Sequence, residues 1–375
     1  MLGQDGEILA MVQTGPRAIE PRRMARPVIG RLDALIRIDA AGICGSDVGF
    51  YNAPDAFFRG RKPPEYPVVR GHEMVGTVEE IGAEAAERRR LRIGDRVAFS
   101  TFMPCGICQS CLSGNAVYCS GWSGQPNNYG SIPLTREPGL WGGFATHVFV
   151  TEHTVLFRIP DDLQPELAVL YNPMGAGVWW GEMLAQTSFG SVVVVLGCGQ
   201  RGLSTAIAAK QAGASLVVAS DVGLSLNKLD LGLELGVIDH AINVDETDIV
   251  GAVMSLTDGR GADVVIDTSS HATRPVIEAI EVARPLARIV LGGLKGRELD
   301  GLPIDLLVRK SLTIVSSRGI DPAAFPRAIE LIASRRYPLD RLRTHTLPLD
   351  QLDYALRLLG GEVDGEHPIN VVLTP

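Results

Sequence analysis

The most constraining feature of the sequence is a glycine-rich turn that directly follows a strand-like apolar run. Residues 191–196 read SVVVVL, the continuous Val/Leu run expected of a strand buried on both faces of a sheet. GCGQRG follows at 197–202, and a helical pattern continues over 202–212. In this context the first glycine allows a tight turn, the second lets backbone approach a pyrophosphate and the third permits close helix–strand packing. The segment therefore predicts a dinucleotide loop, with cofactor-binding residues Gly197, Gly199, Gln200, Arg201 and Gly202.

An acidic residue at the end of the next predicted strand indicates which dinucleotide is bound. Asp221 follows the predicted strand 215–220. A carboxylate at this place hydrogen-bonds the adenosine ribose hydroxyls and repels a 2′-phosphate, and Val222 stands where a basic residue would indicate NADP. NAD is therefore favoured over NADP. Two alternatives stay open: Asp221 as an ordinary strand-end turn residue, and Arg201 as a solvated surface residue instead of a pyrophosphate contact.

The order of the predicted elements indicates an α/β fold with two kinds of region, one of alternating strands and helices and one rich in strands. From 165 to 318, strand and helix patterns alternate, which is typical of a doubly wound parallel sheet. Residues 30–100 contain short β-rich segments separated by glycines, and 100–142 is rich in turn-forming residues. We therefore predict a first domain over 1–164, a dinucleotide-binding domain over 165–318, and a return of the chain to the first domain over 319–375.

Four of the six cysteines form a compact cluster in the sequence. Cys105, Cys108, Cys111 and Cys119 are spaced C-x2-C-x2-C-x7-C. The N-terminus lacks the basic and apolar regions of a secretory signal, so disulfides are not expected. Thiolates at this spacing can surround one tetrahedral Zn²⁺, and a site closed by four protein ligands is structural. The alternative is a loop with four thiols that hold no metal.

Composition excludes several classes of protein. Hydrophobic residues make up 46% and charged residues 21% of the chain, which is the balance of a globular protein and not of a disordered or fibrous one. The longest apolar runs have the length of strands and fall short of a membrane span. The net charge is −8, and the one basic cluster, at 88–90, is short. We therefore expect no nucleic-acid or membrane partner, and a cytoplasmic location.

A second metal site is indicated ahead of the four cysteines. Cys44 lies in GICGSD at 42–47, and His72 lies in GHE at 71–73. A single cysteine or histidine is more often structural than a metal ligand. In a chain that also carries a zinc-type cysteine cluster and a dinucleotide loop, however, the pair is a candidate for a second metal site.

Taken together, these motifs resemble the zinc-dependent medium-chain dehydrogenase/reductase superfamily, which includes the alcohol, sorbitol and threonine dehydrogenases. The resemblance is carried by GICGSD, GHE, the cysteine cluster, GGFATHVFV at 142–150 and GCGQRG, in that order along nearly the whole chain. It implies a GroES-like β-rich catalytic domain, built from both ends of the chain, and an inserted Rossmann domain.

The resemblance also implies roles for individual residues. Cys44 and His72 match the first two ligands of the family's catalytic zinc, and Glu73 matches the neighbouring acid that approaches or binds the metal in some members. Ser46 matches the hydroxyl that passes the substrate's proton toward solvent, and it is also a candidate helix N-cap. In this scheme the zinc polarises an alcohol and a hydride passes to the nicotinamide.

The sequence departs from the family pattern at the third zinc ligand. The family usually places Cys, Glu or Asp just before a proline, whereas this chain has Asn172 before Pro173. A neutral amide is a poorer zinc ligand than a thiolate or carboxylate. Three alternatives follow: Asn172 binds weakly, Glu73 and water complete the coordination, or the catalytic metal is weak or absent. We favour Glu73 with water.

The leading prediction is an NAD- and zinc-dependent oxidoreductase that interconverts a primary or secondary alcohol, including bulky or polyol alcohols, with its aldehyde or ketone. Its partner would be a small-molecule alcohol or carbonyl substrate, and the resemblance implies a homodimer or homotetramer. The alternatives are a reductase or aldehyde-processing enzyme with an impaired metal site, and a non-catalytic nucleotide-binding member. Candidate substrate-contacting residues are Tyr51, Phe57, Phe58, Thr101, Phe102, Trp122, Trp141 and His147.

Overall fold

The structure, a computed structural model, describes residues 8–53, 65–123 and 125–375. The chain divides into two compact units. The first contains Met1–Tyr171 and Ile329–Pro375, and the second contains Asn172–Ala328. Both ends of the chain therefore belong to the first unit, with the second inserted between them. None of the helices in the described ranges is long and apolar enough to cross a bilayer.

The described strands alternate with helices over most of the chain. In chain order the strands are β1 (Ile8–Gly15), β2 (Ala18–Met24), β3 (Ala34–Gly42), β4 (Val68–Val69), β5 (Glu73–Ile81), β6 (Arg96–Phe99), β7 (His147–Val150), β8 (Leu156–Arg158), β9 (Val192–Leu196), β10 (Leu216–Asp221), β11 (His240–Asn243), β12 (Ala262–Asp267), β13 (Ala283–Leu291), β14 (Thr313–Ser316), β15 (Arg343–Pro348) and β16 (Asn370–Thr374).

The longest helix of the described residues, α6, belongs to the second unit. They are α1 (Gly45–Asn52), α2 (Ala83–Arg89), α3 (Gln109–Leu112), α4 (Pro165–Ala168), α5 (Tyr171–Gly177, continued as a π-helix over Val178–Leu184), α6 (Gln200–Gln211), α7 (Leu226–Glu234), α8 (Ile249–Leu256), α9 (Arg274–Val282), α10 (Ile304–Lys310), α11 (Ala324–Ala333) and α12 (Leu352–Leu359).

The first unit is built on a mainly antiparallel sheet. In the described residues its strand order is β15-β16-β3-β5-β6-β8, with β7 also pairing with β3, and a second sheet has the order β2-β1-β4. Strands β3 and β5 are antiparallel, and their register places Gly42 opposite Glu73. A core of aliphatic and aromatic side chains that includes Ile36, Phe99 and Phe144 supports this sheet. The pairing therefore brings the GICGSD and GHE segments side by side.

The second unit is a parallel sheet with strand order β11-β10-β9-β12-β13-β14. All five residues of β9 are buried, as its unbroken run of apolar residues predicts. The strand order reverses direction between β9 and β12. In such a sheet this switch point, at the carboxyl ends of the strands, is where ligands bind. The mixed α/β fold with a doubly wound parallel sheet is therefore confirmed.

Several elements were not predicted from the sequence. The hairpin of β1 and β2 was missed, because Pro21 and two arginines interrupt the alternation of apolar residues. Helix α8 was also missed, although Asp248 caps it by accepting hydrogen bonds from the N–H groups of Val250 and Gly251. The segment 100–142, predicted as loop, contains the short helix α3 and a 3₁₀ turn at Ala116–Tyr118.

Candidate functional site

A Cβ atom would meet different surroundings at each of the three glycines of the 197–202 loop. Gly197 has φ +89°, and a Cβ there would lie 2.9 Å from the Ser269 nitrogen. A Cβ on Gly202, in the first turn of α6, would lie 2.0 Å from the Gly197 oxygen, so helix and turn pack without room for a methyl group. At Gly199, by contrast, a Cβ would have no atom of the described residues within 4 Å. The open side of the loop is therefore at Gly199, where the family places the pyrophosphate.

Asp221 is held against this loop. It ends β10, its Oδ2 accepts a hydrogen bond from the Cys198 N–H at 2.6 Å, and its Oδ1 accepts one from the Val222 N–H at 2.8 Å. The carboxylate is partly exposed, whereas Cys198 is fully buried and burial raises the pKa of its thiol. The acid therefore lies beside the turn that would hold the dinucleotide.

The remaining predicted cofactor residues begin helix α6. Gln200 is its first residue and is buried. The guanidinium of Arg201 lies 5.5 Å from the centre of the Trp180 ring, and its Nη2 donates to the Asn172 Oδ1 at 3.4 Å. Arg201 is partly buried. Asn172 is fully buried, and its amide oxygen accepts this bond within the second unit.

A buried ion pair that the sequence analysis missed connects two loops of the second unit. Asp267 ends β12 and is inaccessible to solvent, and its Oδ2 lies 2.7 Å from the Lys295 Nζ. Lys295 also donates to the Ser269 carbonyl oxygen at 2.7 Å and to its Oγ at 2.9 Å. Since Ser269 also packs against Gly197, the pair fixes the loops beside the glycine turn. No local pattern indicates a pair 28 residues apart.

The four clustered cysteines converge as their spacing predicts. Their sulfur atoms all lie within 4.8 Å of one another; the Cys108–Cys111 distance is 3.5 Å and the Cys108–Cys119 distance is 3.9 Å. Zinc–sulfur bonds of about 2.3 Å in a tetrahedron require sulfur–sulfur distances of about 3.8 Å. The residues present therefore fit a tetrahedral Zn²⁺ site with four thiolates.

The backbone around this cluster also favours thiolates at Cys105 and Cys108. The Cys108 N–H donates to the Cys105 Sγ at 3.3 Å, and the N–H groups of Ile107 and Cys108 lower the pKa of Cys105. Hydrogen bonds from the Cys111 and Ser120 N–H groups lower the pKa of Cys108 to about 5. Amides that point at the sulfurs are the arrangement expected around a cation-binding thiolate cluster.

A second cluster lies where β3 leads into α1. One ligand atom each of Cys44, His72 and Glu73 falls within 4.8 Å of the others. Cys44 and Glu73 are buried, and His72 is partly exposed. Gly42 leaves space for the acid, since a Cβ there would lie 3.0 Å from the Glu73 Oε2. A thiol, an imidazole and a carboxylate form a donor set that fits Zn²⁺, with room in a tetrahedron for one more ligand.

Asp47 orients the imidazole of this cluster. Its Oδ1 lies 3.4 Å from the His72 Nδ1, and its Oδ2 accepts a hydrogen bond from the Cys44 N–H at 3.0 Å. Burial lowers the pKa of His72, but Asp47 and then Cys44 outweigh it and hold the pKa well above 6.5. A carboxylate on one imidazole nitrogen leaves the other nitrogen for a metal, an arrangement common around zinc. The GICGSD motif by itself gives no sign of this contact between Asp47 and His72.

Ser46 is part of the first turn of α1 and is partly exposed. The N-cap position belongs to Cys44, so the interpretation of Ser46 as the N-cap was wrong. The reason is that the Asp47 carboxylate accepts a hydrogen bond from the Cys44 N–H, so the helix begins directly after Cys44, before Ser46. The Ser46 hydroxyl does not cap the helix, and passing the substrate's proton toward solvent remains the role that the resemblance implies for it.

Most of the candidate substrate residues make structural contacts in the first unit. The Tyr51 hydroxyl donates to the Asp353 Oδ1 at 2.5 Å, the buried Trp141 donates to the Arg136 carbonyl oxygen, and the His147 Nε2 lies 3.1 Å from the Glu79 Oε2. Trp122 packs under the guanidinium of Arg136, and both Thr101 and Phe102 are partly buried. Phe57 and Phe58 lie outside the described residues.

Two family models match the chain. The alcohol dehydrogenase GroES-like domain matches residues 30–161, and the zinc-binding dehydrogenase domain matches residues 201–334. The first match contains both metal-ligand clusters. The second begins within the glycine loop and includes most of the parallel sheet.

Curated proteins and solved structures match nearly the whole chain. The chain is 38% identical to a probable alcohol dehydrogenase of Mycobacterium tuberculosis H37Rv, over 99% of this chain and 100% of that protein. It is 31% identical to the erythritol/L-threitol dehydrogenase of Mycolicibacterium smegmatis, over 98% of this chain and 97% of that protein. A Sinorhizobium meliloti 1021 protein, assigned as a zinc-binding dehydrogenase and crystallised with NADP, superposes with a TM-score of 0.84 at 26% identity, covering 98% of this chain and 99% of that one.

Proposed function

The chain belongs to the zinc-dependent medium-chain dehydrogenase/reductase superfamily and is an alcohol oxidoreductase, and we propose that it transfers hydride between an alcohol and NAD at a catalytic zinc. The observation that carries the proposal is the convergence of Cys44, His72 and Glu73 within 4.8 Å. When bound, the metal supplies Lewis-acid polarisation of the alcohol oxygen, and the nicotinamide accepts the hydride.

The residues around the cluster have separate tasks. Asp47 holds the His72 ring in one orientation and ties it to the backbone of Cys44, so both ligands are fixed before metal or substrate arrives. Gly42 keeps open the space that the Glu73 carboxylate occupies. The Ser46 hydroxyl, partly exposed in the same helical turn, receives the proton of the alcohol and passes it toward solvent.

We propose that Glu73 and a water molecule complete the coordination of the catalytic zinc, beside Cys44 and His72. The Glu73 carboxylate lies with Cys44 and His72 in a single cluster. Asn172 has a neutral amide oxygen that accepts a hydrogen bond from Arg201. A carboxylate binds zinc better than an amide does. The Asn172→Ala variant should therefore keep its zinc, whereas Glu73→Gln should lose catalytic zinc in dialysis against a weak chelator.

We propose NAD as the physiological cofactor because of the acid at the end of β10. Asp221 offers a carboxylate to the adenosine ribose, and the exposed Val222 adds no positive charge for a 2′-phosphate. Asp221, Gly197, Gly199, Gln200, Arg201 and Gly202 together form the proposed binding residues for the adenosine and pyrophosphate parts.

The proposed substrates are primary or secondary alcohols, with polyols among the first to test, because one relative is an erythritol/L-threitol dehydrogenase. We also propose a homodimer or homotetramer. The supporting feature is the edge strand β14, which has one paired neighbour in the described sheet. Ile314 on this strand is exposed, as are Ile304 and Val308 on the preceding helix α10. An uncovered edge with apolar side chains favours pairing with another chain.

The experiment that tests the function combines zinc analysis with an alcohol screen. Zinc per chain is measured by elemental mass spectrometry, and oxidation of ethanol, butanediol, erythritol and sorbitol is followed by NADH absorbance. We expect two zinc equivalents in the wild type and one in Cys44→Ser. Turnover should fall at least ~100-fold in Cys44→Ser, since loss of Lewis-acid stabilisation costs several kcal/mol, while NADH binding is retained.

A pair of histidine variants gives the matched control. His72→Gln should lose the same zinc equivalent as Cys44→Ser, whereas His240→Gln, on the exposed start of β11, should keep two equivalents and full turnover. If Cys44→Ser and His72→Gln retain wild-type turnover, the zinc mechanism is wrong. Turnover with NADP but not with NAD would refute the cofactor assignment alone.

A further inference from the structure

The turn after β11 places a second carboxylate, that of Asp245, against the turn that follows Asp221. Strands β10 and β11 are parallel and pair Asp221 with Asn243, and the Val244 N–H donates to the Asp221 carbonyl oxygen at 3.0 Å. Asp245 follows one residue later and is exposed. Its position therefore depends on the same strand pairing that places Asp221.

The carboxylate of Asp245 is fixed against this turn. Its Oδ2 accepts a hydrogen bond from the Gly223 N–H at 2.7 Å, and the Asp245 N–H donates to the Asn243 Oδ1 at 3.1 Å. A Cβ on Gly223 would lie only 3.2 Å from that same Oδ2. Because glycine has no side chain, the acid can approach the turn this closely. The Asp245 carboxylate is thus held at the backbone of Gly223, which is two residues after Asp221.

The two acids together occupy the amides that would otherwise attract an anion. The N–H groups of Cys198 and Val222 donate to Asp221, and the N–H of Gly223 donates to Asp245. Residues 221–227 read DVGLSLN and contain no lysine or arginine. The first cation, Lys228, donates to the Ser225 Oγ at 3.3 Å. A 2′-phosphate would meet two fixed negative charges and amides that are already bonded.

We propose that Asp245 is a second specificity-determining residue, which excludes NADP together with Asp221. This inference rests on the proposed use of NAD at this site. A phosphate carries nearly two negative charges at neutral pH, so each carboxylate repels it, and the two repulsions add. An enzyme that lacks only the Asp221 charge would therefore still reject NADP.

The test compares Asp245→Asn, Asp221→Asn and the double variant in the zinc-loaded enzyme. Asparagine keeps an acceptor for the Gly223 N–H but removes the charge. Asp245→Asn should raise the ratio of NADPH affinity to NADH affinity about tenfold, measured by nicotinamide fluorescence and independently of turnover. The double variant should exceed both single variants. Added salt should raise this ratio in the wild type and less so in the double variant, because the repulsion is screened.

Glu246→Gln is the matched control, since this acid is adjacent and exposed and makes no contact with the turn at Gly223 in the described residues. It should change the ratio less than twofold. If the wild type prefers NADPH, the NAD proposal fails. If the wild type prefers NADH but Asp245→Asn changes the ratio less than twofold, the role of Asp245 is refuted and the NAD proposal stands. Asp245→Ser, checked by thermal unfolding, gives the same decision if the asparagine variant does not fold.

Discussion

Alanine at two glycines of the same loop should separate folding from cofactor binding. Gly199 and Gly202 are three residues apart, and a methyl group has opposite consequences at the two positions. At Gly202 the added Cβ would lie 2.0 Å from the Gly197 carbonyl oxygen, whereas at Gly199 it would meet no atom of the described residues within 4 Å. The first methyl group therefore collides with the turn, and the second points into the space proposed for the pyrophosphate.

The magnitudes follow from these distances. A carbon–oxygen contact needs more than 3.0 Å, so Gly202→Ala must move backbone by more than 1 Å. Overpacking of this kind costs about 1–3 kcal/mol or more, and the gain in helix propensity returns at most about 1 kcal/mol. Gly199 has φ −61° and ψ −178°, which any residue adopts, so alanine should gain about 0.4–1 kcal/mol from the unfolded state. Alanine is a poorer N-cap than glycine, which should lower the free energy of unfolding by a similar amount. The net change in stability is therefore expected to be near zero.

The assays are thermal unfolding and titration of NADH fluorescence. A loss of about 2 kcal/mol in Gly202→Ala should lower the Tm by roughly 4–8 °C in a unit of this size. Gly199→Ala should unfold within about 3 °C of the wild type but bind NADH at least about 30-fold more weakly, which corresponds to about 2 kcal/mol. A folded Gly199→Ala variant that binds NADH within threefold of wild type would refute the assignment of this loop to the pyrophosphate.

Two further predictions concern metal and charge. Cys108→Ser should lose one zinc equivalent and unfold at a lower temperature, and a variant that keeps two equivalents by elemental analysis would contradict a structural site at the cysteine cluster. Lys295→Met should cost about 3–5 kcal/mol in urea unfolding because Asp267 is left charged and buried, and Lys295→Met/Asp267→Asn should recover most of that loss. A loss below about 1 kcal/mol in the single variant would mean that the pair is solvated.

The sequence predicted well those features whose causes are local. The apolar run at 191–196 became the buried strand β9, and the glycines after it have the steric roles expected of them. The cysteine cluster spans fifteen residues, so short-range backbone geometry is enough to bring the four sulfurs together. The family and the α/β fold follow from the same motifs.

Contacts across sheet register or between distant loops could not be predicted in the same way. Cys44 and His72 are 28 residues apart, and what unites them is the pairing of Gly42 with Glu73 in an antiparallel sheet. Asp47 had a local signal, as a cap, but its contact with His72 depends on that same pairing. The bond between Asn172 and Arg201 is likewise a tertiary contact without a pattern in the sequence.

The hydrogen bond between the Ile43 N–H and the Val371 carbonyl oxygen, at 3.0 Å, joins the residue before Cys44 to the last strand of the chain. Strand β16 also pairs Val372 with Gly42. During synthesis, residues 370–374 are made long after Cys44, so the segment that carries Cys44 lacks its neighbouring strand until they have left the ribosome. The inserted unit, by contrast, is complete in sequence by residue 328 and can fold while the chain is still growing. The segment that carries Cys44 thus reaches its final pairing only after the inserted unit has been made.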